Sequence, residues 1–167
     1  MAVARLAAGS VAAGAAAVLA LRFGKVAGRV RCGRALAARA LRYERDGPAD
    51  APALLVVGDS LAVGVGAQRP EHSVPGRLAA DFPHLVVHHR GACGARVRDL
   101  GAQLRAAPRQ RYAAVLVAAG ANDVLRGTPI RDVQCALTRF LAEAGERAPI
   151  VVIVVSANVG GAPILPW

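Results

Sequence analysis

From Met1 to Tyr43 the chain contains no aspartate or glutamate, while Arg5, Arg22, Lys25, Arg29, Arg31, Arg34, Arg39 and Arg42 fall in the same stretch. The remaining 124 residues hold 13 basic and 11 acidic side chains, so nearly all of the formal net charge of +10 sits in the N-terminal quarter. Aromatic residues are scarce at 4%, and none alternates with the basic residues as on a nucleic-acid surface. No nucleic-acid partner is expected. The three cysteines, Cys32, Cys93 and Cys135, are far apart and form no CxxC pair, which argues against a disulfide framework or a zinc site. They read as free thiols, mostly buried as small core residues.

Long apolar runs are also few. The uncharged stretch Leu6 to Leu21 spans 16 residues of mostly alanine and glycine, short of the roughly 20 that cross a bilayer comfortably. Its basic flank follows it rather than precedes it, unlike a cleaved signal peptide. An Arg-rich targeting presequence fits the composition but would be amphipathic from its start. A membrane anchor fits best, and the positive-inside rule then turns residues 22 onward toward the cytoplasm. On a helical wheel Arg31, Arg34, Arg42 and Arg45 share one side, as in a helix lying on anionic headgroups. Three segments follow: an apolar N-terminal segment at 1–24, a basic flank and linker at 25–52 ending in "YERDGPADAP", and a folded domain at 53–167.

Within that domain four apolar runs recur, at 53–57, 85–89, 113–119 and 150–155, spaced like βαβ units. They are continuous rather than alternating, as in parallel strands buried on both faces. Helices fit between them. Ser73 and Pro75 start one that Pro83 stops. Val97, Leu100, Gln103 and Leu104 mark a second. Thr128 and Pro129 open a third, with Val133, Leu137, Phe140 and Leu141 on its inner face and Gly145 at its end. The expectation is an α/β fold, flavodoxin-like, with three α/β/α layers around a parallel sheet. Ligands in such folds bind beyond the carboxyl ends of the strands.

Three loops lie at those ends. Gly58-Asp59-Ser60 follows the first run, but no G-x-S-x-G elbow surrounds the serine. "GVGAQR" lacks the third glycine of a dinucleotide fingerprint, and no loop forms a phosphate cradle, so a nucleotide-binding module is disfavoured. "RGACGARVRDL" follows the second run, with Gly91 and Gly94 where backbone N–H groups can approach a ligand. "GANDV" follows the third, with Asn122 as a neutral amide donor. A hydroxyl, a glycine N–H and an amide on one sheet edge would make a nucleophile with an oxyanion hole.

These blocks resemble those of the SGNH hydrolases, the GDSL esterase/lipase family, over residues 53–167. The resemblance implies a serine hydrolase that cleaves carboxylic esters or thioesters through an acyl-serine. Ser60 takes the nucleophile's place, and Gly94, with Gly91 as second choice, joins Asn122 in the oxyanion hole. Gly58, Asp59, Gly91 and Asp123 support the loops. It implies no metal or organic cofactor. The expected substrate is a small-molecule ester or acyl lipid, and the basic N-terminus, apart from the resemblance, suggests membrane association.

The family's closing D-x-x-H block does not occur after the fourth run. Asp81-Phe82-Pro83-His84 has the spacing but precedes the second run, at the wrong end of a strand. His72, His88 and His89 lack the pattern. The simplest expectation is a fragment of a longer hydrolase, impaired as it stands, with its base beyond residue 167. The alternative is a membrane-anchored, non-catalytic binding domain of the same fold.

Overall fold

The computed structural model describes residues 30–154, together with Gly24, Ala27 and Gly28. The apolar run at 6–21 and the tail from Val155 lie outside the described residues, and with them the expected anchor. Among the described residues no helix is long and apolar enough to cross a membrane.

Four strands form one sheet: β1 (Ala53–Gly58), β2 (Val86–His89), β3 (Ala114–Ala118) and β4 (Val151–Val154). All pairings are parallel, in the order β2-β1-β3-β4. β1 lies inside the sheet and every one of its residues is buried, which accounts for its unbroken apolar sequence. Among the described residues β4 is an edge strand, and Val152 and Ile153 remain exposed on it.

Helices cover both faces. α1 (Ser60–Val63) and α2 (Val74–Asp81) lie over the face of Leu54, Val56 and Val87. α3 (Leu100–Arg105) and α5 (Ile130–Arg147) close the other, where Leu55, Val57, Leu100, Leu104, Phe140 and Ala144 pack. Each fully buried Leu or Phe contributes about 1.5–3 kcal/mol of apolar transfer free energy. The one-turn helix α4 (Ala121–Leu125) follows β3. The three-layer α/β/α architecture expected from the sequence is the one observed.

Several local expectations change. The helix over 30–39 stops before Arg42 and Arg45, so these two do not share its basic side. Arg45 instead forms an antiparallel bridge with Val87 on the outer edge of β2, and its guanidinium donates to the Pro83 carbonyl at 2.7 Å. Ser73 does cap α2, accepting from the Gly76 N–H at 3.2 Å. Thr128 does not cap α5; Pro129 occupies the cap position without a side-chain bond. Gly145 does not end that helix, which runs to Arg147 because Phe140 and Ala144 hold its inner face on the core. The three thiols are free, as expected, but exposed rather than buried: Cys135 lies on the outer side of α5 and Cys93 in the loop after β2.

Candidate active site

The loop after β1 carries the serine. β1 ends at Gly58, whose φ of +138° leaves no room for a side chain, because a Cβ there would collide with the Ala118 carbonyl. The Asp59 N–H donates to that same carbonyl at 2.7 Å, tying the loop to β3. Asp59 then caps α1, its Oδ1 accepting the Leu61 N–H at 2.9 Å. Ser60 is the first residue of α1 and half-buried, at the carboxyl edge of the sheet.

Gln103 on α3 spans the Gly58 peptide. Its Nε2 donates to the Gly58 carbonyl at 3.0 Å, and its Oε1 accepts the Gly58 N–H at 2.7 Å. Sequence reasoning placed Gln103 only on a helix face and missed this role. A single polar residue within that mostly apolar face was the one available signal.

The loop after β3 meets the same place. Asn122 Nδ2 donates to the Ala95 carbonyl at 3.1 Å and, at 3.5 Å, to Asp59 Oδ2. Asp123 is buried and its Oδ2 accepts the Val97 N–H at 2.9 Å, bracing the two loops against each other. Burial raises the Asp59 carboxyl above its ordinary range; the nearby Asp123 charge adds to this, while the Leu61 N–H and the Asn122 amide oppose it.

In the loop after β2 the two candidate glycines separate. The Gly91 N–H donates to His89 Nδ1 at 3.2 Å and is therefore already committed. Gly94 has φ +81°, a left-handed turn that suits glycine, and half-exposed placement. The structure thus brings Gly58, Asp59, Ser60, Gly94, Asn122 and Asp123 to one edge, with Gly91 set behind them against His89.

The histidines are otherwise occupied. His89 is fully buried; since its Nδ1 accepts from Gly91, its Nε2 carries the proton and donates to the Ala62 carbonyl at 2.9 Å. Burial chiefly lowers its pKa. His88 faces the opposite side of the sheet, edge-on to Tyr112, whose hydroxyl accepts the Arg109 N–H and lies 3.1 Å from His88 Nδ1. Its pKa is also lowered, first by burial and then by Arg109 and Arg90. His84 lies before the amino end of β2, away from Ser60. His72 is exposed in the short 3₁₀ turn Pro70–His72. No histidine is hydrogen-bonded to Ser60 among the described residues. Nor do the described residues contain a cluster able to hold a metal ion.

Fold and loops together define a class: a parallel α/β/α domain in which three strand-end loops meet beside a serine. The model of the GDSL-like lipase/acylhydrolase family matches residues 56–167, and the chain belongs to that family. AlinE4, an SGNH-hydrolase family esterase, shares the fold with a TM-score of 0.53 at 22% identity, over 64% of this chain and 60% of that one. A lipolytic protein of the G-D-S-L family from Veillonella parvula DSM 2008 gives 0.52 at 19%, over 62% and 57%. TesA gives 0.51 at 25% identity, over 66% and 64%. The chain therefore spans less than two thirds of the length of each of these structures. No protein of curated function matches it in sequence.

Proposed function

We propose that the domain is a serine esterase acting on carboxylic esters or thioesters, with Ser60 as nucleophile. The observation that carries this reading is the placement of Ser60 at the start of α1, capped by Asp59 and linked through Asp59 to Asn122. The Ser60 Oγ attacks the carbonyl and forms an acyl-serine, which water then releases. The first N–H groups of a helix have no partner inside it, so the Ser60 N–H is available to the developing oxyanion. Gly94 supplies a second N–H. Asn122 supplies a third donor: one of its two N–H groups is held by the Ala95 carbonyl, and the other, held only at 3.5 Å by Asp59, turns to the oxyanion.

None of the described histidines is hydrogen-bonded to Ser60, so this reading assigns none of them as the base. Loss of a triad histidine costs roughly a millionfold in turnover in serine proteases. That dependence favours one second reading, a binding domain that holds esters without cleaving them. Reaction of the full chain with a fluorophosphonate probe, beside Ser60→Ala, separates the two. Labelling that depends on Ser60 supports the esterase; labelling that survives Ser60→Ala removes Ser60 from the role. No labelling, with ester binding retained, favours the binding domain.

A further inference from the structure

A cleft of about 250 Å³ opens beside the candidate site, its wall including Arg96, Arg98, Asp123, Arg126, Thr128 and Asp132. It adjoins the proposed oxyanion loop, since the Arg126 Nη2 lies 3.7 Å from where a Cβ on Gly94 would sit. Two hydrogen-bond donors buried in its wall, Arg96 Nε and Thr128 Oγ1, have no partner among the described residues. Buried polar groups without partners are rare enough in folded proteins to need a reason. The amino end of α5, which has no side-chain cap, opens on the same cleft through Pro129 and Asp132. A long helix presents partial positive charge there.

The acids nearby offset part of this positive charge without pairing either Arg96 or Arg126. Asp123 spends one carboxylate oxygen on the Val97 N–H, and Asp132 belongs to the first turn of α5. Asp99 is shared between the Arg96 backbone N–H and the Arg98 guanidinium, 3.7 Å away. Arg96 and Arg126 are left without a carboxylate partner among the described residues. Guanidinium groups fit planar or tetrahedral oxyanions through paired N–H bonds. A neutral ester has no group that would use two unpaired guanidinium groups, a hydroxyl and a helix amino end together.

We propose that this cleft is the subsite for an anionic group, phosphate or carboxylate, carried by the ester substrate. The proposal rests on the esterase reading for the word substrate, but the cleft's affinity for an oxyanion does not depend on Ser60.

The test is calorimetric titration of inorganic phosphate, and separately acetate, into the full chain and into Arg126→Gln, Thr128→Val and Arg34→Gln/Arg39→Gln. The last variant controls for the basic N-terminal quarter, which attracts anions on its own. Arg126→Gln should weaken binding of the preferred anion about tenfold, the scale of a lost charge-assisted hydrogen bond. Thr128→Val should weaken it by a smaller factor, and the N-terminal control by less than twofold. The tighter of the two anions names the group. Absence of measurable binding, or equal weakening in the control and in Arg126→Gln, overturns the subsite. Beside this, kcat and KM are measured for a neutral nitrophenyl ester and its carboxylate-bearing hemiester. Arg126→Gln should raise KM for the hemiester alone. Should neither ester turn over, the serine reading is decided by Ser60-dependent fluorophosphonate labelling, and the titration still decides the cleft.

Discussion

The side chain of Gln103 holds both polar atoms of the Gly58 peptide, one at 2.7 Å and the other at 3.0 Å. Gly58 is the last residue of β1 and stands two positions before Ser60, so this pair sets where the serine loop leaves the sheet. Replacing Gln103 by Leu should leave the Gly58 N–H unpartnered and cost about 2 kcal/mol. The carbonyl keeps the Ala92 N–H at 2.9 Å, which limits the loss. Urea denaturation measures the stability, and the rate of fluorophosphonate labelling reports whether the loop has shifted. The labelling rate should fall in Gln103→Leu even at temperatures where the fold is intact.

Gly58→Ala should be more severe than Gln103→Leu. A Cβ at a φ of +138° is strained by backbone geometry, and this one also meets the Ala118 carbonyl. The expected cost is about 3 kcal/mol or more, from strain and overpacking together. A melting temperature within a degree of the unmodified chain's would contradict this picture of the β1–β3 contact.

Acid should loosen the domain through His89. Its native pKa is lowered by burial below the ordinary 6.5, so the unfolded state binds the proton more readily. The stability that neutral His89 provides is complete above about pH 6.5 and is lost as pH falls toward the lowered native value. His89→Phe leaves the Gly91 N–H and the Ala62 carbonyl unpartnered, at about 2–4 kcal/mol near neutrality. The stability gap between the unmodified chain and His89→Phe should therefore narrow between pH 7.5 and 5. A constant gap would mean that His89 is not held neutral.

Asp59 should act with the opposite sign. Its native pKa is raised above the ordinary 3.8, so the folded state holds the proton more tightly. That contribution is complete below the ordinary value and is lost as pH rises through the raised one. Relative to Asp59→Asn, the unmodified chain should gain stability as pH falls from 7 to 4. Denaturation midpoints of the two chains across that range give the comparison.

Cys93 offers a chemical handle on the site. It is exposed and lies in the loop between Gly91 and Gly94. In a chain carrying Cys32→Ser and Cys135→Ser, attachment of a bulky maleimide to Cys93 should slow fluorophosphonate labelling of Ser60 severalfold. Unchanged labelling would separate this loop from the reactive crevice.

The strands were legible in the sequence because burial on both faces requires continuous apolar residues, as in Leu54 to Val57. The serine, glycine and asparagine blocks were legible because each directly follows such a run. Other features were not, each for a physical reason. One-turn helices such as α1 and α4 are too short to show a period. Gln103 and His89 act through backbone partners 45 and 27 residues away, which no local pattern encodes. Gly145 suggests a stop, but packing of Phe140 and Ala144 overrides the local preference. The arginine cleft joins Arg96, Arg126 and Thr128 across two loops that meet only in the folded sheet.

The order β2-β1-β3-β4 also bears on the sequence of events during synthesis. β1 is made first yet lies in the interior, so one of its edges waits for β2 and the other for β3, some 60 residues later. Until Ala118 has left the ribosome, the Asp59 amide has no carbonyl to meet, and the most deeply buried strand among the described residues stays half paired. Parallel pairings at such separations are slow to form. For this interval the nascent chain carries an unpaired apolar strand edge, and the serine loop takes its shape only when that wait is over.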